Sequence, residues 1–216
     1  MHCSICNELL GVCDPSQHGL YAEIVANQGT ILFSTDNFSI IPSIGAINKS
    51  HVLIVPNRHL LSIASTNLEY HEELVYIKKI LQRYNIERCG QSLLFFEHGT
   101  GSESNNAGAC VEHAHLHGIF DIENFHRVIL EEIEMIYLSS SSEIYSLADF
   151  DNGYLYYEDS SANCWLANNP DAPSQYFRYL YSKLSNVDLE WNWKKNANIQ
   201  SVNEVINYYN DIKSII

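Results

Sequence analysis

Residues 112–120 constrain the fold more than any other part of the chain, because histidines alternate with apolar residues along this segment. His113, His115 and His117 are each two residues apart. Successive side chains of a β-strand point to opposite faces of the sheet, so residues two apart share a face. The segment therefore predicts a strand with three imidazoles on one face and its apolar residues largely on the buried face.

Three interpretations of this histidine row are open. Strand stability does not require three imidazoles in register, and they would repel one another if all were charged. Histidines at this spacing also suit zinc or iron, so a catalytic metal site is one alternative. A histidine-rich strand that arose by chance is the other. We favour phosphate chemistry, since a neutral imidazole is an effective nucleophile near pH 7.

Short apolar runs bounded by turn residues predict strands in the first half of the chain. These strands are Tyr21–Ala26, Thr30–Phe33, Phe38–Ile41, Val52–Val55, Ser92–Phe96 and Glu112–Phe120. Asn27-Gln28-Gly29 is a hairpin signal between the first two. Apolar residues at helical spacing predict a helix over Leu68–Tyr84. The fold class expected is α+β, an antiparallel sheet with flanking helices.

The second half predicts further elements and a second unit. These elements are a helix over Asn124–Leu138, strands over Tyr154–Tyr157 and Cys164–Ala167, a helix to Leu184 with Ser174 as its N-cap and a last helix over Val202–Ile212. We divide the chain into a catalytic core, residues 1–124, and a C-terminal extension, residues 125–216, that packs on the core.

The net charge limits the partners of the chain. The formal charge is −14 at pH 7, which repels polyanions at long range, so we expect no nucleic-acid partner and no anionic membrane partner. Local histidines and backbone donors can still bind a small phosphate ligand. No export signal or bilayer-spanning apolar run is visible. We therefore expect a cytoplasmic protein.

The histidine row and two other segments resemble motifs of the histidine triad family. H-A-H-L-H-G-I, from residue 113, resembles the family's His-x-His-x-His followed by apolar residues. Residues 107–112 resemble the segment that leads into this motif. Residues 50–59, S-H-V-L-I-V-P-N-R-H, resemble the family's strand that ends on a histidine. The three blocks come in the family's order, and the resemblance covers about residues 1 to 120.

The resemblance implies a mechanism. His115, the middle histidine, is similar to the family nucleophile, which attacks an α-phosphorus and forms a nucleotidyl-histidine that water hydrolyses. His117 would donate to phosphate oxygens and assist the leaving group. No catalytic metal is required. A third histidine is typical of the hydrolases of this superfamily, whereas glutamine in that place is typical of nucleotidyl and uridylyl transferases.

The resemblance also implies substrate-binding positions. The loop that ends at Gly108 would supply backbone N–H groups to the phosphate, and His98 would border that loop. Cys110 stands where the family usually has a phosphate-binding serine. A thiol is a weak donor, so its backbone N–H is the alternative contact. Ser43 aligns with an aspartate that holds the ribose hydroxyls in many relatives.

Cys3 and Cys6 form a C-x-x-C pair near the start of the chain. Alone this pair is equally consistent with two buried or reactive thiols. The resemblance implies that His59 and His113 complete a tetrahedral zinc site, and two cysteines with two histidines suit a closed structural zinc. Such a zinc would fix the N-terminus beside the histidine row, since chain termini fray unless they are held.

Gln175 and Arg178 are three residues apart and share one helix face. Their segment, S-Q-Y-F-R, and the later W-N-W-K resemble parts of longer bacterial members of the family. The resemblance implies that Gln175 or Arg178 contacts a second phosphate or the leaving group. The alternative is a surface helix with a polar face and core tryptophans.

The expected function is hydrolysis of a nucleoside phosphoramidate, a dinucleoside polyphosphate or a similar nucleotidyl bond. One alternative is a nucleotidyltransferase with a phosphate or sugar-phosphate acceptor. Another is a nucleotide-binding sensor without turnover. The resemblance also implies a homodimer. His51 begins a predicted strand and could face the ligand or be a surface residue, and we favour the surface residue.

Overall fold

The computed structural model describes residues 3–12, 20–100, 113–187, 191–195 and 197–216. The strands described are β1 (Phe33–Ser34), β2 (Phe38–Pro42), β3 (Val52–Pro56), β4 (Leu93–Gly99), β5 (Leu116–Phe120), β6 (Ile136–Leu138), β7 (Tyr154–Glu158) and β8 (Cys164–Asn168). The helices described are α1 (Ser4–Leu9), α2 (Leu20–Ala26), α3 (His71–Cys89), α4 (Phe125–Glu132), α5 (Ile144–Leu147), α6 (Tyr176–Leu184) and α7 (Ile199–Tyr208). Short 3-10 turns cover Ile63–Ser65, Leu68–Tyr70, Ser141–Glu143 and Ile212–Ser214.

The eight strands form one antiparallel sheet in the order β1-β2-β3-β5-β4-β7-β8-β6. His117, the last residue of the histidine row, lies in the middle of the sheet. It is on β5, opposite Leu53 of β3 and Phe96 of β4. The predicted α+β class with an antiparallel sheet and flanking helices is confirmed. The three strands after residue 124 belong to this same sheet, and the division into two units stays a prediction.

Helices cover both faces of the sheet, and alternate residues of each strand pack on opposite layers. On β4, Phe95 packs toward α3 and α7. Its neighbours Leu94 and Phe96 pack toward α4 and α6 on the other face. Burial on both faces explains why the central strands are almost continuously apolar, without the alternation of a half-exposed strand. His117 lies on the same face as Phe96, beneath α6.

The predicted hairpin over residues 21–33 is wrong. Residues 21–26 lie in helix α2, and only Phe33 of the second predicted strand is in a strand. Tyr21 and Val25 are four residues apart, which places both on one helix face. Both are buried against Val202 of α7. A contact distant in sequence thus selects the helical period over the β-propensity of this short run.

The predicted helix over residues 124–138 is also only partly right. Helix α4 ends at Glu132, and Ile133 adopts an extended conformation. The chain then forms β6, where Tyr137 pairs with Trp165 of β8. Helix α6 begins at Tyr176, after Gln175 with a φ of 62°, so Ser174 is not its N-cap.

The other predicted elements overlap observed ones, with shifted ends. They are strands β2, β3, β4, β7 and β8 and helices α3, α6 and α7. None of the helices in the described ranges is both long enough and apolar enough to span a bilayer.

Candidate active site

An open cleft lies on the α6 side of the sheet and contains about 770 Å³ of space, counting the part open to solvent. Both halves of the chain line it. The predicted catalytic and substrate-binding residues that the structure describes all line this one cleft, namely Ser43, His98, His115, His117, Gln175 and Arg178. Gly108 and Cys110 lie outside the described residues. Much of the remaining wall is apolar, including Ile5, Ile41, Leu53, Phe96, Phe177 and Trp193.

The prediction of one strand bearing three aligned imidazoles is wrong in its extent. Strand β5 begins only at Leu116, so His113 and His115 precede it. The backbone between His113 and His115 is held by a hydrogen bond, in which the Ala114 N–H donates to the Leu60 carbonyl at 2.6 Å. His115 and His117 line the cleft, with ring centroids 5.0 Å apart. His113 instead lies among the N-terminal cysteines.

His115 has a defined tautomer. Its Nδ1 is 2.7 Å from the backbone carbonyl of His113, and a carbonyl can only accept, so Nδ1 carries the proton. In the neutral ring Nε2 then has a free lone pair. Burial lowers the pKa of His115, although the bond to the carbonyl acts in the other direction, and the positive charge of Arg178 lowers it further. The ring is therefore neutral near pH 7.

The tautomer of His117 follows from a chain of hydrogen bonds through His51. The Ile47 N–H donates to His51 Nδ1 at 3.2 Å, so the neutral His51 ring carries its proton on Nε2. His51 Nε2 lies 2.9 Å from His117 Nδ1 and donates to it. The proton of neutral His117 is then on Nε2. His117 is thus a hydrogen-bond donor toward the cleft.

Burial keeps both rings of this pair neutral. It lowers the pKa of His51 and that of His117 well below the usual value, with smaller contributions from Arg178 and from neighbouring imidazoles. Phe96 stacks on the His117 ring, with centroids 4.6 Å apart. His51 was expected to be a surface residue, and it is instead fully buried. Its place just before β3, the neighbour of β5, was the signal that could have identified it.

His98 is a third imidazole in the cleft wall. Neither of its ring nitrogens has a hydrogen-bond partner within the described part of the chain. Burial, followed by the proximity of the His115 imidazole, lowers the pKa of His98 to about 4. An unpartnered neutral imidazole has one donor and one acceptor to offer a ligand.

Arg178 holds α6 against the core. Its guanidinium donates to Ser43 Oγ at 2.9 Å, to the Gly45 carbonyl at 2.6 Å and to the Trp191 carbonyl at 3.0 Å. Arg178 is 3% exposed. The residue therefore has a structural role in addition to lining the cleft, and its charge gives the cleft a fixed positive potential.

Gln175 stabilises the segment of residues 191–193, which contributes Trp193 to the wall of the cleft. Its side-chain amide donates to Asn192 Oδ1 at 3.2 Å and accepts from the Trp193 N–H at 3.2 Å. Ser43 is buried and accepts the Arg178 hydrogen bond. Both predicted substrate-binding residues thus also hold the walls of the cleft together.

Helix α1 forms a wall that the sequence analysis did not predict. Ser4, Ile5 and Glu8 of this helix line the cleft. Glu8 is buried, and burial raises its pKa to about 7 against the opposing effects of the Tyr21 and Thr30 hydroxyls. The Tyr21 hydroxyl donates to Glu8 Oε2 at 2.9 Å. A carboxylate in an apolar helix near the start of a chain carries no motif, so sequence alone did not identify it.

Cys3, Cys6, His59 and His113 form a cluster that could hold a metal ion, with one candidate ligand atom from each within 4.8 Å of all the others. His113 Nδ1 is 3.3 Å from Cys3 Sγ and 3.4 Å from Cys6 Sγ. His59 Nδ1 is 3.5 Å from Cys6 Sγ. Metal–sulfur and metal–nitrogen bonds of ordinary zinc length span about 3.6 Å between ligand atoms in a tetrahedron.

The tautomer of His113 also suits a metal. Its Nε2 is 2.9 Å from the Pro56 carbonyl, which accepts its proton, so the lone pair of Nδ1 points at the two sulfurs. Histidine ligands commonly donate their other N–H to a carbonyl in this manner. The donor set and its geometry therefore fit a closed four-coordinate ion.

Comparisons with known proteins give matches at low identity. A family model described as "Protein similar to CwfJ C-terminal" matches residues 20–120. A search of curated proteins finds no match.

The similar solved structures include a hypothetical histidine triad nucleotide-binding protein from Sulfolobus tokodaii, with 16% identity, 56% of this chain and 70% of that chain covered, and a TM-score of 0.40. A histidine triad protein from Clostridium difficile shares 16% identity, with 57% and 93% covered and a TM-score of 0.40. A zinc-bound histidine triad family protein from Mycobacterium smegmatis shares 18% identity, with 48% and 75% covered and a TM-score of 0.36.

Proposed function

We propose that this chain hydrolyses phosphoanhydride or phosphoramidate bonds of nucleotides, with His115 as a covalent nucleophile. The observation that carries the proposal is the hydrogen bond from His115 Nδ1 to the His113 carbonyl. It leaves the Nε2 lone pair of a neutral ring available in the cleft, beside the Nε2–H of His117. A positioned nucleophile next to a positioned donor is the arrangement that phosphoryl chemistry requires.

In the first step, His115 Nε2 attacks the α-phosphorus. The new bond is N–P, and the bond that breaks joins phosphorus to the leaving oxygen or nitrogen. The leaving group departs with the electron pair, and the Nε2–H of neutral His117 donates a hydrogen bond that stabilises its developing negative charge. The His115 ring then carries a positive charge, which the His113 carbonyl stabilises through Nδ1–H.

In the second step, water attacks the same phosphorus. A new P–O bond forms, the N–P bond breaks, and the electron pair returns to His115 Nε2. The proton that the water loses passes to the departed leaving group or to solvent, and both histidines are then in their starting states. The group that leaves is the neutral imidazole of His115, so the cationic intermediate is reactive toward water.

The electrostatics of the cleft favour an anionic ligand despite the acidity of the whole chain. Arg178 places a buried positive charge at the wall, with imidazole rings of His98 and His117 nearby. Hydrogen-bond donors in a site of low dielectric are worth more than donors in water. The volume of the cleft and its mainly apolar wall suit a nucleoside.

We also propose that Cys3, Cys6, His59 and His113 hold a structural zinc ion. With four protein ligands the ion has no open position, so it would not act on the substrate. Its effect would be to fix α1 and the backbone next to His115. We further propose that the chain is cytoplasmic and forms a homodimer.

The test is mass spectrometry of protein quenched during turnover of a panel of nucleoside phosphoramidates and dinucleoside polyphosphates. We expect a nucleotidyl adduct on His115, and hydrolysis that His115→Asn abolishes. His126→Asn, at an exposed position, is the matched control. Product analysis with added phosphate or sugar phosphate separates hydrolysis from transfer. Binding without turnover across the panel would overturn the proposal in favour of a sensor.

A further inference from the structure

Glu8 is a buried carboxyl group in the cleft wall with an unused hydrogen-bonding atom. The residue is 3% exposed. Its Oε2 accepts from the Tyr21 hydroxyl, while Oε1 has no hydrogen bond of ordinary length in the described part of the chain; the Thr30 hydroxyl lies near the carboxyl group and is itself without such a bond there. Leaving a buried carboxyl oxygen unpartnered costs free energy, and folded proteins seldom do so without a reason. A ligand in the cleft would supply the missing donor.

The position of Glu8 along α1 indicates which part of a nucleotide it meets. Helix α1 begins next to Cys3, whose sulfur is 3.3 Å from His113 Nδ1, two residues before the proposed nucleophile. Glu8 is five residues further along, about 7.5 Å at the rise of an α-helix. Ser4 and Glu8 lie on one helix face and both line the cleft. Glu8 therefore lies more than one helical turn along α1 from the end that contacts His113, and it lines the same cleft as His115, so a ligand with its phosphate at His115 would meet Glu8 through its nucleoside.

The wall around Glu8 suits a flat aromatic ring. Ile5 of α1 packs on Ile41 of β2 and Leu53 of β3, and all three line the cleft. Apolar side chains on the walls with one polar group at the end are typical of sites that bind the face of a base and read its edge.

We propose that Glu8 determines base specificity and selects guanine. This inference rests on the proposed function. A carboxylate offers acceptors only, in a fork of two oxygens. Guanine presents two donors side by side, N1–H and the N2 amino group, whereas adenine and cytosine alternate a donor with an acceptor and uracil has one donor between two acceptors. Oε1 accepts one guanine donor, and the second lone pair of Oε2 accepts the other beside Tyr21.

The experiment measures binding of GMP, AMP, IMP and 2′-deoxy-GMP by calorimetry to the zinc-loaded protein and to Glu8→Gln. Monophosphates have no leaving group, so they report binding without turnover. We expect GMP to bind at least about tenfold more tightly than AMP, as one charge-assisted hydrogen bond typically provides. IMP, which lacks the N2 amino group, should fall between them. Glu8→Gln should remove most of the preference, and Glu72→Gln, at an exposed site, should keep it.

The outcomes separate this inference from the proposed function. Binding of all nucleotides without a preference for GMP overturns the assignment of Glu8 and leaves the function standing. A loss in Glu8→Gln that is equal for GMP and AMP, with weak binding of 2′-deoxy-GMP, assigns Glu8 to the ribose and also overturns it. No binding of any nucleotide overturns both. The comparison of GMP, AMP and IMP uses the unaltered protein, so it stands even if the variant does not fold.

Discussion

The chemistry proposed for this cleft depends on where two protons sit. Backbone groups decide both positions, since the His113 carbonyl fixes the proton of His115 and the Ile47 N–H fixes that of His51. His51 passes this constraint to His117. One imidazole is therefore presented as a nucleophile and its neighbour as a donor. Two identical residue types two positions apart acquire opposite roles from their hydrogen-bond partners.

Replacing His51 should weaken turnover more than binding. In His51→Phe the ring of His117 loses its partner at Nδ1, so the proton can move from Nε2. We expect kcat to fall about 10- to 100-fold, the usual effect of removing a group that orients a functional histidine, with little change in KM. The ¹⁵N shifts of the His117 ring should report a mixture of tautomers. A single unchanged tautomer would contradict the assignment, and His126→Asn should alter neither measurement.

Glu97 gives a prediction about stability and pH. It is buried on β4, accepts from the Ile63 N–H and the Tyr154 hydroxyl, and also lies near Tyr145. Burial raises its pKa to about 8, although the two hydrogen bonds act in the other direction. The unfolded carboxyl ionises near pH 4.5, so the folded state is penalised progressively as pH rises from there to about 8. Stability should therefore fall across this window.

Glu97→Gln should remove that part of the pH dependence. Glutamine keeps an acceptor for the Ile63 N–H and has no charge to bury. Urea denaturation of both proteins at several pH values between 5 and 8 measures the difference. We expect the variant to gain stability relative to the parent as pH rises. A difference that stays constant with pH would show that the carboxyl is ionised in the folded protein throughout.

At the scale of elements, strands with a regular apolar pattern could be predicted from the sequence. Elements whose conformation depends on contacts with distant parts of the chain could not. The apolar strands beside the histidine row were predictable because both faces are buried and their composition shows it. The helical state of Tyr21–Ala26 was not, since it depends on Val202 of α7, far away in the chain. The same holds for Glu8, whose place in the cleft comes from the packing of α1 on β2 and β3. The histidine row was predicted to lie in one strand, but of its three histidines only His117 lies in β5.

Removing the proposed zinc should loosen α1. Two of the ligands flank the start of this helix, and the other two come from the ends of the core segments that it covers. Chelation or Cys6→Ser should release about one zinc per chain and lower the Tm by more than about 5 °C. Zinc analysis and thermal denaturation measure both effects. Cys89→Ser, at an exposed cysteine, should change neither. A metal-free protein with an unaltered Tm would refute the site.

At the scale of the whole molecule, the cleft requires both halves of the chain. Strand β7 continues the sheet from β4, with Glu158 opposite Phe95. Helix α6 then returns over the sheet and brings Arg178 to Ser43 on the other side of the cleft. The residues after 124 thus complete the walls of the site, which an independent extension would not need to do.

Substitutions of Arg178 test this arrangement, because its positive charge and its hydrogen bonds can be removed separately. Arg178→Gln removes the charge and most of the three hydrogen bonds, so we expect a loss of about 2–4 kcal/mol in the free energy of unfolding and a raised KM. Arg178→Lys keeps the charge but lacks the planar fork, so it should lose similar stability while it recovers part of the affinity for substrate. Urea denaturation and steady-state kinetics of the two variants measure this. Equal KM values for both would mean that Arg178 acts on the cleft through packing alone.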